Sequence, residues 1–370
     1  MPQTRQAESE DYLTSQILTY LGNKRALLRF IGEGVENVKD ALGKTHLSFF
    51  DAFSGSGIVS RFMKRHASLI IANDLERYSE VVNRCYLTNR PSVDWEDFDS
   101  VFREWRDETL SHLAPGTISR LYAPQDDNDI QRGERVFYTR ENAVLLDSAR
   151  TAIDRVVPEK FFALVLAPLL AEASVHANTA GVFKGFYKNR RGIGEFGGEG
   201  RNARSRICAK IELQKPVLSN FSCESVVLRG DANEVAKSIE PVDLAYFDPP
   251  YNQHPYGSNY FMLNLLVENK MPERISKVAG IAEGWNRSNY NKRREAAESF
   301  FALLESTPAK FLLVSYNSEG FIPKESLLQF LETLGNVEPL EIEYNTFRGS
   351  RNLRERPLKV TEYLFLVRRK

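Results

Sequence analysis

The sequence predicts an α/β fold: a mostly parallel sheet flanked by helices and split by a largely helical insertion between Asn89 and Asn220. Three observations predict it. Short apolar runs alternate with helical patterns near both ends of the chain, which is the rhythm of parallel sheets. Several of those runs end on an aspartate, where open α/β sheets place their ligand crevice. The long middle stretch carries no strand pattern.

The elements follow in order. Leu47–Asp51 reads as a strand, then Gly55 and Gly57 introduce a helix from about Val59 to Arg65. Leu69–Ala72 is the second strand, with a helix from about Arg77 to Leu87. The pattern then stops. Asn89 to Gln131 is polar, with Pro91, Pro115 and Pro124 and an acidic run at Asp126, Asp127 and Asp129. Two helices are expected near Glu141–Arg155 and Lys160–His176. Gly185 to Arg206 is too rich in glycine for a regular element. Strands resume at Ser225–Gly230 and Val242–Phe247, then a helix from about Ser258 to Val267. A basic loop, a helix to Glu305, a strand at Lys310–Tyr316 and a helix at Lys324–Leu334 come next. Leu340–Tyr344 and Thr361–Val367 alternate as a pair of antiparallel strands.

Composition sets bounds. At 370 residues and 42% hydrophobic content the chain can bury a substantial core. Five histidines and three cysteines (Cys85, Cys208, Cys223) show no metal or disulfide spacing. The N-terminal ten residues are polar and lack a signal-peptide core, and the apolar stretch Phe161–Ala171 is short and holds Pro168. A cytoplasmic protein with no membrane partner is expected. Net charge is zero, but its distribution is uneven. Phe183–Lys210 holds eight Lys/Arg against two Glu, and Phe347–Lys359 five against one. Either stretch suits a polyanion face or a solvated loop.

Four motifs carry chemistry. Asp248-Pro249-Pro250-Tyr251 follows the strand Val242–Phe247. Two prolines lack the N–H needed to continue a ladder, so the chain makes a stiff extended turn. That turn presents a carboxylate, carbonyl oxygens and a ring, a set suited to a planar ligand bearing an exocyclic amine. On those four letters alone, a proline-stiffened turn with a structural aspartate is the other reading. Asp51, Phe53, Gly55 and Gly57 follow the first strand, where glycines let backbone approach a ligand. Position 60 is Ser, so the pyrophosphate-binding GxGxxG pattern is absent. Asp74 ends the second strand, placed to accept from ribose hydroxyls. Tyr20-Leu-Gly-Asn-Lys24 precedes the first strand, and Asp231 ends another, either facing the crevice or capping a helix.

In this order the elements resemble the alpha class of DNA adenine N(6)-methyltransferases, the DNA adenine methylase family of restriction-modification type. That family runs an aromatic-x-Gly-x-Lys element, Phe-x-Glu/Asp-Pro-Phe-x-Gly-x-Gly, a strand-end acid, an insertion and Asp-Pro-Pro-Tyr. The resemblance extends through Ser258–Asn264, Ser315–Gly320 and Arg348–Tyr363. It implies a Rossmann-like S-adenosylmethionine-dependent methyltransferase sheet over 1–88 and 221–370, with target recognition in 89–220. It implies S-adenosyl-L-methionine as cofactor, contacted by Tyr20, Lys24, Asp51, Phe53, Gly55, Gly57, Asp74, Asp231 and Asp248. It implies catalysis by Asp248, Pro249, Pro250 and Tyr251 on an adenine flipped out of double-stranded DNA. Lys184, Lys188, Arg190, Arg191, Arg201 and Arg204 would track the duplex, and a cognate restriction endonuclease would share its site. Ala52 stands where the family usually has proline, and Tyr20 where many members have Trp. A carbon-5 cytosine enzyme needs a cysteine nucleophile, typically after proline, and none of the three follows one. An N(4)-cytosine enzyme, an RNA adenine enzyme and a catalytically silent DNA-binding module are the remaining rivals.

Overall fold

The computed structural model describes residues 7–345 and 359–370. Residues 346–358, which carry nearly all of the second basic stretch, lie outside the described residues. Among the described residues seven strands form one sheet: β1 Leu47–Asp51, β2 Ala67–Asp74, β3 Glu224–Arg229, β4 Val242–Phe247, β5 Ala309–Asn317, β6 Gly335–Asn345 and β7 Lys359–Arg369. Their order is β3-β2-β1-β4-β5-β7-β6. Strands β1 to β5 pair in parallel, while β7 lies antiparallel between β5 and β6. The chain runs outward from β1 through β2 to β3, then returns to β4 on the other side of β1. The β1/β4 junction is therefore a topological switch point, and a crevice opens at its carboxyl ends.

Both faces of the central strands are buried, so these strands read as continuous apolar runs. Phe49, Leu244, Tyr246, Leu313 and Leu364 pack on one face with the helix Leu28–Leu42, which had no counterpart among the expected elements. Phe50, Ala245, Phe247, Leu312 and Phe365 pack on the other with the helices Ala296–Ser306 and Lys324–Leu334. Successive side chains point to opposite faces of a strand, and the two clusters split accordingly.

The stretch after Asn89 is more ordered than its polarity suggested. Trp95–Ser111 is a helix, opened by the Asp94 side chain accepting from the Asp97 N–H. Its buried face is Phe98, Val101, Phe102, Trp105 and Thr109, a spacing of three and four residues. The helices Arg140–Val156 and Phe162–Val175 lie near their expected limits. They pack with Trp95–Ser111, with Arg77–Tyr86 and with Phe261–Glu268 into one continuous core. No helix among the described residues is long and apolar enough to cross a membrane.

Candidate active site

The strand ends at the switch point line a cleft of about 870 Å³, counting the open space at its mouth. Tyr20, Lys24, Asp51, Phe53, Gly55, Asp74, Asp231, Asp248 and Pro250 all line it. Elements scattered from residue 20 to residue 250 thus converge because parallel strands deliver their carboxyl ends to one edge.

The glycine loop is tied to β2. The Gly55 N–H donates to Asp74 Oδ2 at 2.8 Å, and the Glu76 N–H donates to Asp74 Oδ1 at 2.9 Å. Gly55 has φ +51°, and a Cβ there would lie 3.1 Å from the Tyr20 ring. Only glycine lets the loop and that ring close together. Gly57 does not line the cleft: with φ +75° it opens the helix Ile58–Met63 and faces Asn83. At Ala52 the departure from the family's proline has a physical correlate. The Ala52 N–H donates to the Tyr246 carbonyl at 3.1 Å, a bond between β1 and β4 that proline could not make.

The cleft is rich in carboxyl groups. Asp51, Asp74, Glu76, Asp231 and Asp248 line it, and Lys24 is the single Lys or Arg among its lining residues. Burial pushes Asp51 up to about 7, against the pull of its Ser60 hydrogen bond, with Asp248 and Asp74 adding repulsion. Burial likewise raises Glu76 to about 7, although the Asn264 and Asn286 amides donate to its Oε2. Asp248 is lifted by burial to about 6, opposed by Lys24 and reinforced by Glu362. Lys24 Nζ lies 2.9 Å from Asp248 Oδ1 and 3.1 Å from Glu362 Oε1. Burial alone would lower the lysine, but the two carboxylates hold it well above its ordinary value.

An aromatic wall closes one side. Tyr20 stacks on Tyr256 and Tyr260 with ring centres 5.0 and 4.6 Å away, and its hydroxyl lies 3.1 Å from that of Tyr78. Tyr260 is fully buried, its hydroxyl accepting from the Leu21 N–H. Phe247 is buried in the core. Neither side chain is therefore free to stack on a planar ligand. Pro249 and Tyr251 do not line the cleft but follow directly behind Asp248. The turn is pinned from two sides: the Phe321 N–H donates to the Tyr251 carbonyl and Asn291 Nδ2 to the Asn252 carbonyl. Asp231 both lines the cleft and caps the helix Ala232–Ala236 through the Asn233 N–H, so its two readings hold together.

The basic segment is anchored next to this turn. The Phe183 N–H donates to the Asn259 carbonyl, and Lys184 is close enough to His254 to lower its proton affinity after burial has done so. Lys188, Arg191, Arg201 and Arg204 are exposed. Arg190 is exposed too, but its Nε holds Glu199 Oε2 at 2.8 Å. Motif reading did not find Glu76, Tyr256, Asn286, Ser288, Tyr290 and Asn291, which also line the cleft, nor Glu362 beneath it. No group of metal ligands exists among the described residues.

A sequence model described as the D12 class N6 adenine-specific DNA methyltransferase matches residues 20–325. The chain is 28% identical to the Type II methyltransferase M.NlaIII of Neisseria lactamica, over 95% of this chain and 99% of that protein. It is 28% identical to the Type II methyltransferase M.CviAII of Paramecium bursaria Chlorella virus 1, over 94% of this chain and 97% of that one. It is 25% identical to the Type II methyltransferase M.FokI of Planomicrobium okeanokoites, over 95% of this chain and 53% of its relative. The match covers the cleft's N-terminal wall, the glycine loop, the insertion and the Asp-Pro-Pro-Tyr turn alike. The chain belongs to the D12 class of N6 adenine-specific DNA methyltransferases and is an enzyme that methylates adenine in DNA.

Proposed function

We propose that the cleft binds S-adenosyl-L-methionine and that the Asp248–Tyr251 turn grips an adenine swung out of duplex DNA. The observation that carries this reading is the cleft's charge. Five carboxyl groups line it beside one ammonium, and three of them are raised to about 6 or 7. A pocket that holds so much uncompensated acid is suited to a cationic ligand. S-adenosyl-L-methionine supplies a methyl carbon activated by a sulfonium, and it carries a second cation in its amino group. The rest of the donor set fits as well. Asp74 is oriented by two backbone N–H groups for ribose hydroxyls, and Gly55 leaves room for a nucleoside against Tyr20. Lys24, Asp51, Phe53, Asp231 and Asp248 complete the lining, with Gly57 shaping the loop from behind.

The adenine amine is a weak nucleophile because its lone pair is delocalised into the ring. Asp248 and the Pro249 carbonyl accept its two N–H bonds and draw the nitrogen toward tetrahedral geometry. Hydrogen bonds to a charged acceptor contribute about 1.5–3 kcal/mol each, and groups already in place avoid reorganisation as charge develops. The nitrogen lone pair forms the N–C bond as the S–C bond breaks, with the electron pair remaining on sulfur. The proton then leaves the alkylated nitrogen through Asp248 to solvent. Pro250 keeps the turn extended, and the Tyr251 ring stacks on the base. Flipping costs a few kcal/mol, roughly what stacking at about 1–3 kcal/mol per base returns.

The insertion, residues 89–220, is the target-recognition unit on this reading. Lys184, Lys188, Arg190, Arg191, Arg201 and Arg204 follow the phosphates away from the turn. The relatives named as Type II methyltransferases support a place in a restriction-modification system, with a cognate endonuclease cutting the same site and both partners in the cytoplasm. Transfer of labelled methyl to duplex DNA, followed by nucleoside analysis, tests the whole. Label in N6-methyladenine is expected, and label in the cytosine fraction would overturn the reading. Asp248→Ala is expected to abolish transfer while duplex binding persists, and retained transfer would remove Asp248 from the chemistry.

A further inference from the structure

At the proposed catalytic turn lies a buried charge triad, Lys24, Asp248 and Glu362, of which the reaction as described gives Glu362 no part. Lys24 is 3% exposed and Glu362, on β7, is 1% exposed. Lys24 Nζ bridges Asp248 Oδ1 at 2.9 Å and Glu362 Oε1 at 3.1 Å. Glu362 Oε1 also accepts from the Ser315 hydroxyl of β5 at 2.6 Å. One ammonium thus serves two carboxylates in a site withdrawn from water. Burying charges costs desolvation, and replacing a buried ion pair by apolar groups is often neutral or stabilising, so stability alone does not account for the triad.

We infer that Glu362 is a positioning residue for methyl transfer: by sharing Lys24 it keeps Asp248 from being neutralised in a closed ion pair and so preserves its strength as an acceptor for the target amine. The inference rests on the reading of Asp248 given above. Its physics is competition. An ammonium committed wholly to Asp248 would drain the charge that must hold the amine's N–H. With Glu362 on its other side, the ammonium is divided, and Ser315 fixes the competing oxygen in place. The direction agrees with the electrostatics: Lys24 lowers the proton affinity of Asp248, and Glu362 raises it. The other groups facing the triad among the described residues are Tyr246, buried on β4, Tyr251 and Tyr256 from the turn and its helix, and Asp51 at the end of β1. Tyr246 and Tyr256 stay protonated at working pH, because burial raises both well above their ordinary values. Asp51 is present in every variant below, so it does not separate them.

The test is the single-turnover rate of methyl transfer to a duplex, measured against pH, in wild type, Glu362→Gln, Glu362→Asp and Asp248→Asn. In Glu362→Gln the acidic limb is expected to move down by about half to one pH unit, because repulsion on Asp248 is lost. The alkaline plateau is expected to fall about ten-fold, while KM for the methyl donor stays within about two-fold. Glu362→Asp, which keeps the charge but withdraws it by one methylene, should move the limb the same way by less. A limb that does not move in whichever of the two variants folds overturns the inference. So does a loss confined to KM. Asp248→Asn separates the two levels: if it transfers at the wild-type rate, the reading of Asp248 itself fails. If it is dead while the limb of the Glu362 variants stays fixed, only the role of Glu362 fails.

Discussion

Asp248 stands 2.9 Å from an ammonium and still titrates high, at about 6, because burial outweighs the attraction of Lys24. On the proposed mechanism its charged form accepts the amine's N–H, so the acidic limb of transfer should lie near that value. Single-turnover rates are expected to rise through it as pH increases, and a flat profile between pH ~5 and ~8 would exclude a titrating Asp248. Gly55 is the second sensitive position. Alanine there would need a left-handed backbone, at about 1–2 kcal/mol, and would press on the Tyr20 ring 3.1 Å away. Gly55→Ala should weaken methyl-donor binding about five- to thirty-fold, read by calorimetry. The motif residues of the cleft were legible in the sequence because each stands at the end of a strand or in a turn with its own grammar. Glu76, Asn286 and Glu362 were not. Glu76 lies on a helix start with no special neighbours, Asn286 in a loop, and Glu362 near the far end of the chain. Only the meeting of β7 with the N-terminal Lys24 gives Glu362 its meaning, and that contact spans most of the sequence.

Among the elements, the central strands β1, β4 and β5 could be read locally because both of their faces are buried and their runs are apolar, while the edge strand β3 and the final antiparallel pair showed through their β-branched or alternating residues. The helix Trp95–Ser111 was missed although its signal was present. Charged residues occupy its exposed face densely enough to hide the spacing of Phe98, Val101, Phe102 and Trp105. Trp105 is buried, and its indole N–H donates to the Ala149 carbonyl at 2.9 Å. Trp105→Ala is expected to destabilise the fold by about 3–5 kcal/mol, measured by denaturant unfolding. The glycine content of Gly185–Arg206 predicts no regular element there, and its backbone is irregular apart from a bridge between Lys188 and Gly194 and the start of the short helix Arg204–Cys208. Neutralising Arg190, Arg191 and Arg201 together should weaken duplex binding and reduce the slope of log K against log salt by about two to three. The lower figure applies if Arg190 stays with Glu199. An unchanged slope would take the segment out of the DNA path.

For the molecule as a whole, the acidic cleft sets how stability depends on pH. Asp51, Glu76 and Asp248 have folded-state affinities for protons raised to about 7, 7 and 6. Between pH ~4 and ~7 the folded chain therefore binds more protons than the unfolded one, and the slope of unfolding free energy with pH from these groups is negative. Their contribution is fully present below the unfolded values and is lost as pH rises through the folded ones. The ligand-free protein should melt at a lower temperature at pH ~8 than at pH ~5.5, and Asp51→Asn should flatten that difference. A melting temperature that rises over this interval in wild type and variant alike would contradict the assignment. The threading of β7 between β5 and β6 has a temporal corollary. Residues 359–369 are the last strand of the sheet to leave the ribosome, yet they fill an interior berth and bring the carboxylate beneath Lys24. A nascent chain that still lacks them holds the cleft and the Asp248–Tyr251 turn on an unfinished scaffold. Methyl transfer to DNA is then expected only once translation has run past this strand, and a chain stopped before residue 359 is expected to show none.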